Sequence, residues 1–264
     1  MKTPAPHLAT ALLATLLLVC ACGGGDDEPA PPVPSPPPSD TTPPAPSPLQ
    51  GIWTGATASG RNLSGVVLSD GRYYLRYTAP GAPALVAGAL QGKAQAGATR
   101  WSSPDAKDFG LEGGGVQSAA VEGSFTARSA FGGVVTFASG AATTFQMVYD
   151  ATYSLPASLE IVAGSYTGSA VWLLGSQAST LTISRSGAVT GTVAGCTVSG
   201  AVQPRTDGNA YSLSVTLGPV PCGNPGQTYL GVAYLDASMR RLHVVAPNPA
   251  RTAGLLFEGI KPVE

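Results

Sequence analysis

The stretch Leu63-Ser64-Gly65-Val66-Val67-Leu68, Ser69-Asp70-Gly71, Arg72-Tyr73-Tyr74-Leu75-Arg76-Tyr77 decides the fold of this 264-residue chain. Two apolar-alternating runs flank an Asp-Gly pair, the strongest short-range signal of a β-hairpin. Alternation puts Tyr73, Leu75 and Tyr77 on one face of the second strand, and Tyr74, Arg76 and Thr78 on the other.

The pattern continues outward from this hairpin. Further strands are predicted at 84–91, 98–102, 116–127, 132–137 and 143–149, then at 180–184, 188–193, 196–203, 211–217, 228–235, 242–246 and 254–260. Arg185-Ser186-Gly187 and Asp207-Gly208-Asn209 supply further turns. Short strands joined by Gly-containing turns make an antiparallel meander. Composition agrees: 34 glycines and 11% charged residues suit an all-β chain with small side chains on exposed faces. Gly51-Ile52-Trp53-Thr54-Gly55-Ala56 recurs as Gly164-Ser165-Tyr166-Thr167-Gly168-Ser169. A repeat at that distance matches a small domain, so two tandem β modules are expected, at 49–157 and 158–264. Closure of seven or eight strands into a β-barrel removes exposed edges; a β-sandwich is the alternative. One interruption is expected: Ser103-Pro104-Asp105 has a capping serine before proline and an acid, which predicts a single helical turn over 103–109.

The N-terminal residues address the chain. Met1-Lys2 is followed by an apolar stretch from Leu8 to Val19 and then by Val19-Cys20-Ala21-Cys22-Gly23. That is the layout of a secretory signal, too short to span a bilayer of about 30 Å. The run resembles the lipobox of bacterial lipoproteins, with Val19 and Ala21 matching the positions before the modified cysteine. The resemblance implies a signal peptide over 1–21, acylation of Cys22 and attachment to the membrane by lipid. Gly23, where an aspartate favours inner-membrane retention, implies the outer membrane, facing the periplasm or the exterior. Residues 22–48 form a Gly/Pro-rich disordered tether, with eleven prolines among the twenty residues 29–48. Extended polyproline II, at about 3.1 Å per residue, spans roughly 60 Å there.

Of the four cysteines, Cys20 leaves with the signal and Cys22 takes the lipid. Cys196 and Cys222 remain, an even pair in an oxidising compartment, and a disulfide is the expected state. Removal of Lys2 leaves 13 basic residues against 15 acidic ones, with no run of Lys or Arg, so nucleic acid is excluded as a partner. His243 is the one histidine left after the signal, read as a half-exposed strand residue, and no Gly-x-Ser-x-Gly elbow accompanies it. Asp105, Asp108 and Glu112 cluster in sequence without an EF-hand order, and zinc lacks ligands, so no metal or other cofactor is expected. Trp53, Tyr73, Tyr77 and Trp101, and Tyr166, Trp172, Tyr211, Tyr229 and Tyr234, are read as barrel filling, with a lined pocket as the alternative.

Through their Gly-aromatic-Thr-Gly strands the modules look like the small lipoprotein β-barrels of the transferrin-binding and factor-H-binding kind. That likeness is architectural and carries no residue across. The expectation is a lipid-anchored, non-enzymatic envelope lipoprotein that binds a protein or a glycan. The alternatives are a structural envelope-maintenance protein without a ligand, and a hydrolase that would need His243 or the Asp105 cluster.

Overall fold

Period-two alternation of apolar and polar residues produces strands along nearly the whole described chain. The computed structural model describes residues 45–172 and 175–263, and of Trp172 only the backbone. The signal, Cys22 and most of the proline-rich segment lie outside the described residues.

The first nine strands are β1 (Gly51–Thr57), β2 (Asn62–Val67), β3 (Arg72–Ala79), β4 (Ala82–Lys93), β5 (Gln95–Ala96), β6 (Arg100–Gly110), β7 (Gly115–Thr126), β8 (Ala130–Phe137) and β9 (Ala142–Asp150). They pair antiparallel with their neighbours, β1 pairs with β9, and β4 pairs with β6. Those two links close an eight-stranded barrel, with β5 a two-residue addition beside β6. A 3-10 turn (Ala151–Ser154) and a one-turn helix, α1 (Leu159–Val162), capped by Ser158, lead on. The second barrel follows: β10 (Gly164–Trp172), β11 (Gly175–Ile183), β12 (Ala188–Val193), β13 (Cys196–Pro204), β14 (Tyr211–Leu217), β15 (Thr228–Leu235), β16 (Arg241–Pro247) and β17 (Gly254–Ile260). Closure selects the barrel over the sandwich.

The two sequence echoes do the same work in each barrel. Trp53 Nε1 donates to Leu49 O at 3.0 Å, and Tyr166 Oη donates to Val162 O at 2.8 Å, each ring tying down the segment that leads into its first strand. Gly55 and Gly168 lie against the backbone of the last strand of their barrels, where a Cβ would collide with Gln146 O and Glu258 O. The first strand can therefore approach the last and shut the ring.

Both faces of the β2–β3 hairpin are buried. Tyr73 and Leu75 point into barrel 1 with Trp53, Trp101, Phe131 and Phe145. Tyr74 points out, into a cluster of Ile52, Val66 and Leu68 against Val232, Tyr234, Val245 and Leu256 of barrel 2. Each fully buried large side chain contributes about 2–3 kcal/mol. Barrel 2 is filled by its own cluster, including Tyr166, Leu181, Tyr211, Leu213, Tyr229 and Phe257.

The helical turn expected over 103–109 does not form. Those residues belong to β6, which pairs with β7 on one side and with β4 and β5 on the other. Pro104 has no N–H to give a ladder and sits with Asp105 in a register shift between Ser103 and Ala106. Strand pairing on both sides outweighs a local capping preference.

Candidate functional site

Because strands alternate in direction, barrel 1 has two distinct ends. The chain enters at the end that carries the β2–β3 turn, where Ser47 N donates to Ser69 O at 2.7 Å. The near half of the interior is packed by Trp53, Tyr73, Trp101 and Phe131, with ring centroids 4.8–5.9 Å apart, and Phe145 stands between that packing and the far end. The far end, bordered by the β1–β2, β6–β7 and β8–β9 turns, is open. A cavity of about 390 Å³ lies there, with Leu63, Leu75, Leu90, Val135 and Phe145 among its walls. Eight-stranded barrels are just wide enough to be filled or to hold one small ligand, and binding cavities start near 300 Å³.

The polar side of this cavity is built by β3, β4 and β6. Tyr77 Oη donates to Asp108 Oδ1 at 2.8 Å. Tyr77 lies across β4 at its register partner Gly88, where an added Cβ would strike the phenol ring and hydroxyl. Asp108 is 8% exposed, lines the cavity, and receives no second hydrogen bond from the described residues. Burial raises its carboxyl above the ordinary aspartate value, and the Tyr77 hydrogen bond and Arg61 oppose that rise. Above this pair, Arg61 from the β1–β2 turn reaches Glu112 of the β6–β7 turn at 2.7 Å, an ion pair across the mouth. The Arg61 guanidinium also stands 5.3 Å from the Tyr77 ring centroid and donates to Thr78 O at 3.1 Å. The Arg61 and Glu112 charges cancel, so ionised Asp108 leaves one net negative charge.

A second polar cluster lies between the barrels. Arg76 of β3 meets Glu258 of β17 at 2.5 Å, and Arg241 of β16 meets the other oxygen of Glu258 at 2.5 Å. Arg76 Nε also donates to Ser64 Oγ at 2.7 Å, and Ser64 Oγ lies 3.1 Å from Tyr234 Oη. His243 is buried rather than half-exposed, because the outer face of β16 packs against barrel 1. Its ring stacks on Tyr234 at 4.9 Å, and its Nδ1 is 3.3 Å from Glu258 Oε2, close but not aligned as a hydrogen bond. Burial lowers the imidazole pKa against the pull of Glu258, and the His243 ring together with the Arg76 and Arg241 guanidiniums overcomes the burial of Glu258 and brings it down to about 2. This is a fastening between barrels: Ser64 is held by Arg76 and Tyr234, with no hydrogen bond to His243, so a serine–histidine relay is not assembled.

The acids of the expected cluster separate. Asp105, in the bulge, pairs with Arg251 of barrel 2 at 3.1 Å, while Asp108 turns inward and Glu112 pairs with Arg61. Among the described residues no three His, Cys, Asp or Glu side chains converge on a metal-sized space. Cys196 and Cys222 are joined by a disulfide with Cα atoms 5.2 Å apart, pinning the β14–β15 loop to the start of β13. A shallower groove of about 1060 Å³ crosses the outside of barrel 1 over Gly123, Gly132 and Gly133. Sequence reasoning named Tyr77 and Asp108 but did not join them, and it passed over Arg61 and Gly88. The available signal was alternation along β3, which turns Tyr77 inward; the bulge at Pro104 and Asp105 masks the corresponding signal for Asp108.

No protein-family profile matches the chain, and no curated protein is similar to it. A search of solved structures finds the isotype 1 transferrin binding protein B from serogroup B Neisseria meningitidis, 9% identical, with a TM-score of 0.28. The match covers 77% of this chain and 66% of that one, and at this TM-score it carries nothing across to this protein.

Proposed function

We propose that this chain is a lipid-anchored outer-membrane protein, attached through Cys22, whose two barrels form a non-catalytic module that binds a protein or a glycan. The observation that carries this reading is the polarity of barrel 1: the chain enters at one end and the open mouth lies at the other. Strand β1, seven residues long, separates the ends by about 20 Å. A proline-rich arm arriving at the near end would hold the mouth outward, away from the lipid. Two of the residues weighed for chemistry are engaged structurally, His243 in the fastening between barrels and Asp105 with Arg251.

The test has two parts. Cells fed a labelled fatty acid should label the wild-type protein and not Cys22→Ser, and the variant should leave the membrane fraction. Crosslinking on intact cells should then trap a protein or glycan at the mouth residues Ser59, Glu112 and Gln117. Labelling of the variant, or trapping unchanged when these residues are replaced, would overturn the reading.

A further inference from the structure

We infer that the open end of barrel 1 is a binding site for a small amphiphile, its apolar body seated on Leu63, Leu75, Leu90, Val135 and Phe145 and its protonated amine paired with Asp108. This rests on the reading of the chain as a binding module and names a ligand for one end of it.

Three observations carry the inference. First, the space is incompletely filled although the same barrel shows how to fill it: the near half is packed by the rings of Trp53, Tyr73, Trp101 and Phe131, and the far half is left as a cavity of about 390 Å³. At about 30 Å³ per water in the liquid, that is room for about a dozen waters. A ligand with a similar number of heavy atoms fits, and its apolar surface would replace water against five apolar walls.

Second, a carboxylate is kept where folding does not need one. Asp108 is 8% exposed and takes a hydrogen bond from Tyr77 on one oxygen, and its other oxygen meets no donor among the described residues. Buried carboxylates without full pairing are costly, and an asparagine or threonine would satisfy Tyr77 as well. Gly88 keeps the strand bare beneath the Tyr77 ring, so three strands cooperate to hold this carboxylate in place.

Third, the charge at the mouth sets the sign of the ligand. Arg61 is held by Glu112, Thr78 O and the face of Tyr77, so its charge is already matched. The unmatched charge is that of Asp108. An ammonium group donates up to three hydrogen bonds and brings the compensating positive charge, whereas a carboxylate would meet Asp108 as a like charge.

Three compounds with one body and different heads test this: phenylbutylamine, phenylbutanol and phenylbutyrate, titrated calorimetrically into the purified full-length protein at neutral pH. The amine is expected to bind about tenfold tighter than the alcohol or better, the worth of one charge-assisted hydrogen bond, with the carboxylate weakest. Asp108→Asn should bring the amine down to the level of the alcohol. Thr143→Trp, at the rim of the cavity, should weaken the amine and the alcohol together. The inference is overturned if none of the three binds, if the carboxylate matches the amine, if Asp108→Asn leaves the order unchanged, or if Thr143→Trp has no effect. Neither acylation of Cys22 nor crosslinking at the rim depends on these titrations, so failure here is distinguishable from failure of the proposed function.

Discussion

Tyr77 and Asp108 are joined across a strand that carries no side chain between them: the phenol of β3 passes over Gly88 of β4 to reach the carboxylate of β6 at 2.8 Å. The device repeats four residues away along both strands. There Tyr73 passes over Gly92 and donates to Ser103 Oγ at 3.0 Å. The two arrangements differ in the acceptor, a neutral hydroxyl in the packed half and an acid in the hollow half. Gly88→Ala should displace Tyr77, leave Asp108 without its donor and cost about 1–3 kcal/mol, read from urea unfolding. It should also erase the preference for an amine over an alcohol.

Asp108→Asn should stabilise the protein at neutral pH. The folded carboxyl titrates above its unfolded value, so between those two values the folded state holds the proton more tightly. The penalty is absent at low pH, where both states are protonated, and complete above the folded pKa. Urea midpoints at acid and neutral pH should therefore converge for the two proteins in acid and separate at neutrality, with the variant higher. A variant less stable at neutral pH would contradict the assignment of a strained carboxylate.

The fastening between the barrels predicts lability in acid. Glu258 is lowered from 4.5 to about 2, so its contribution is present above pH 4.5 and is lost as pH falls toward 2. His243, lowered from 6.5 by burial, adds to the same trend, because below 6.5 the unfolded chain takes up a proton that the folded imidazole refuses. The groups facing this pair are Arg76, Arg241, Asp236 and Tyr234. Glu258→Gln should flatten the stability curve between pH 4.5 and 2, measured by thermal unfolding across that window.

Arg76→Ala should destabilise the contact between barrels more than either barrel alone. It removes the arginine that reaches Glu258 from barrel 1 and takes the Arg76 Nε donor from Ser64, a loss of about 2–3 kcal/mol. Amide exchange should quicken in β3 and β17 while β8 and β12, outside this contact, keep their protection. Uniform quickening would show that the barrels unfold as one cooperative body.

Reduction, or Cys196→Ala with Cys222→Ala, removes a loop constraint over 26 residues of separation, worth about 3.5 kcal/mol on the chain-entropy account. The shift in urea midpoint should be the same for the reduced and the doubly substituted protein.

The parts legible in the sequence are those governed by near neighbours. Asp70-Gly71 forms its turn, with Gly71 at φ 83° in the left-handed region that glycine tolerates, and the strands on either side follow the pleat. The echo of Trp53 in Tyr166 is also visible in sequence, since each ring acts on a residue four positions back. What distant strands decide was not legible. The stretch 103–109 carries good helix-start chemistry, but β7 and β4 claim its backbone from both sides. The bulge at Pro104 and Asp105 then inverts the alternation, so that of these two acids Asp105 turns out to barrel 2 and Asp108 turns into the cavity. His243 was misread for a related reason. Alternation distinguishes the inside of a barrel from its outside, but not an outside that faces water from one that faces a second barrel.

The way the chain joins barrel 1 has a mechanical consequence. Ser47 and Leu49 are clamped at the head of β1 by Ser69 and Trp53, and β1 is flanked on both sides, by β2 and β9. A pull transmitted from the N-terminal side runs along this strand and loads two ladders in shear, many bonds at once, instead of peeling a hairpin open bond by bond. The protein thus meets drag on a strand held from both sides, by β2 and by β9.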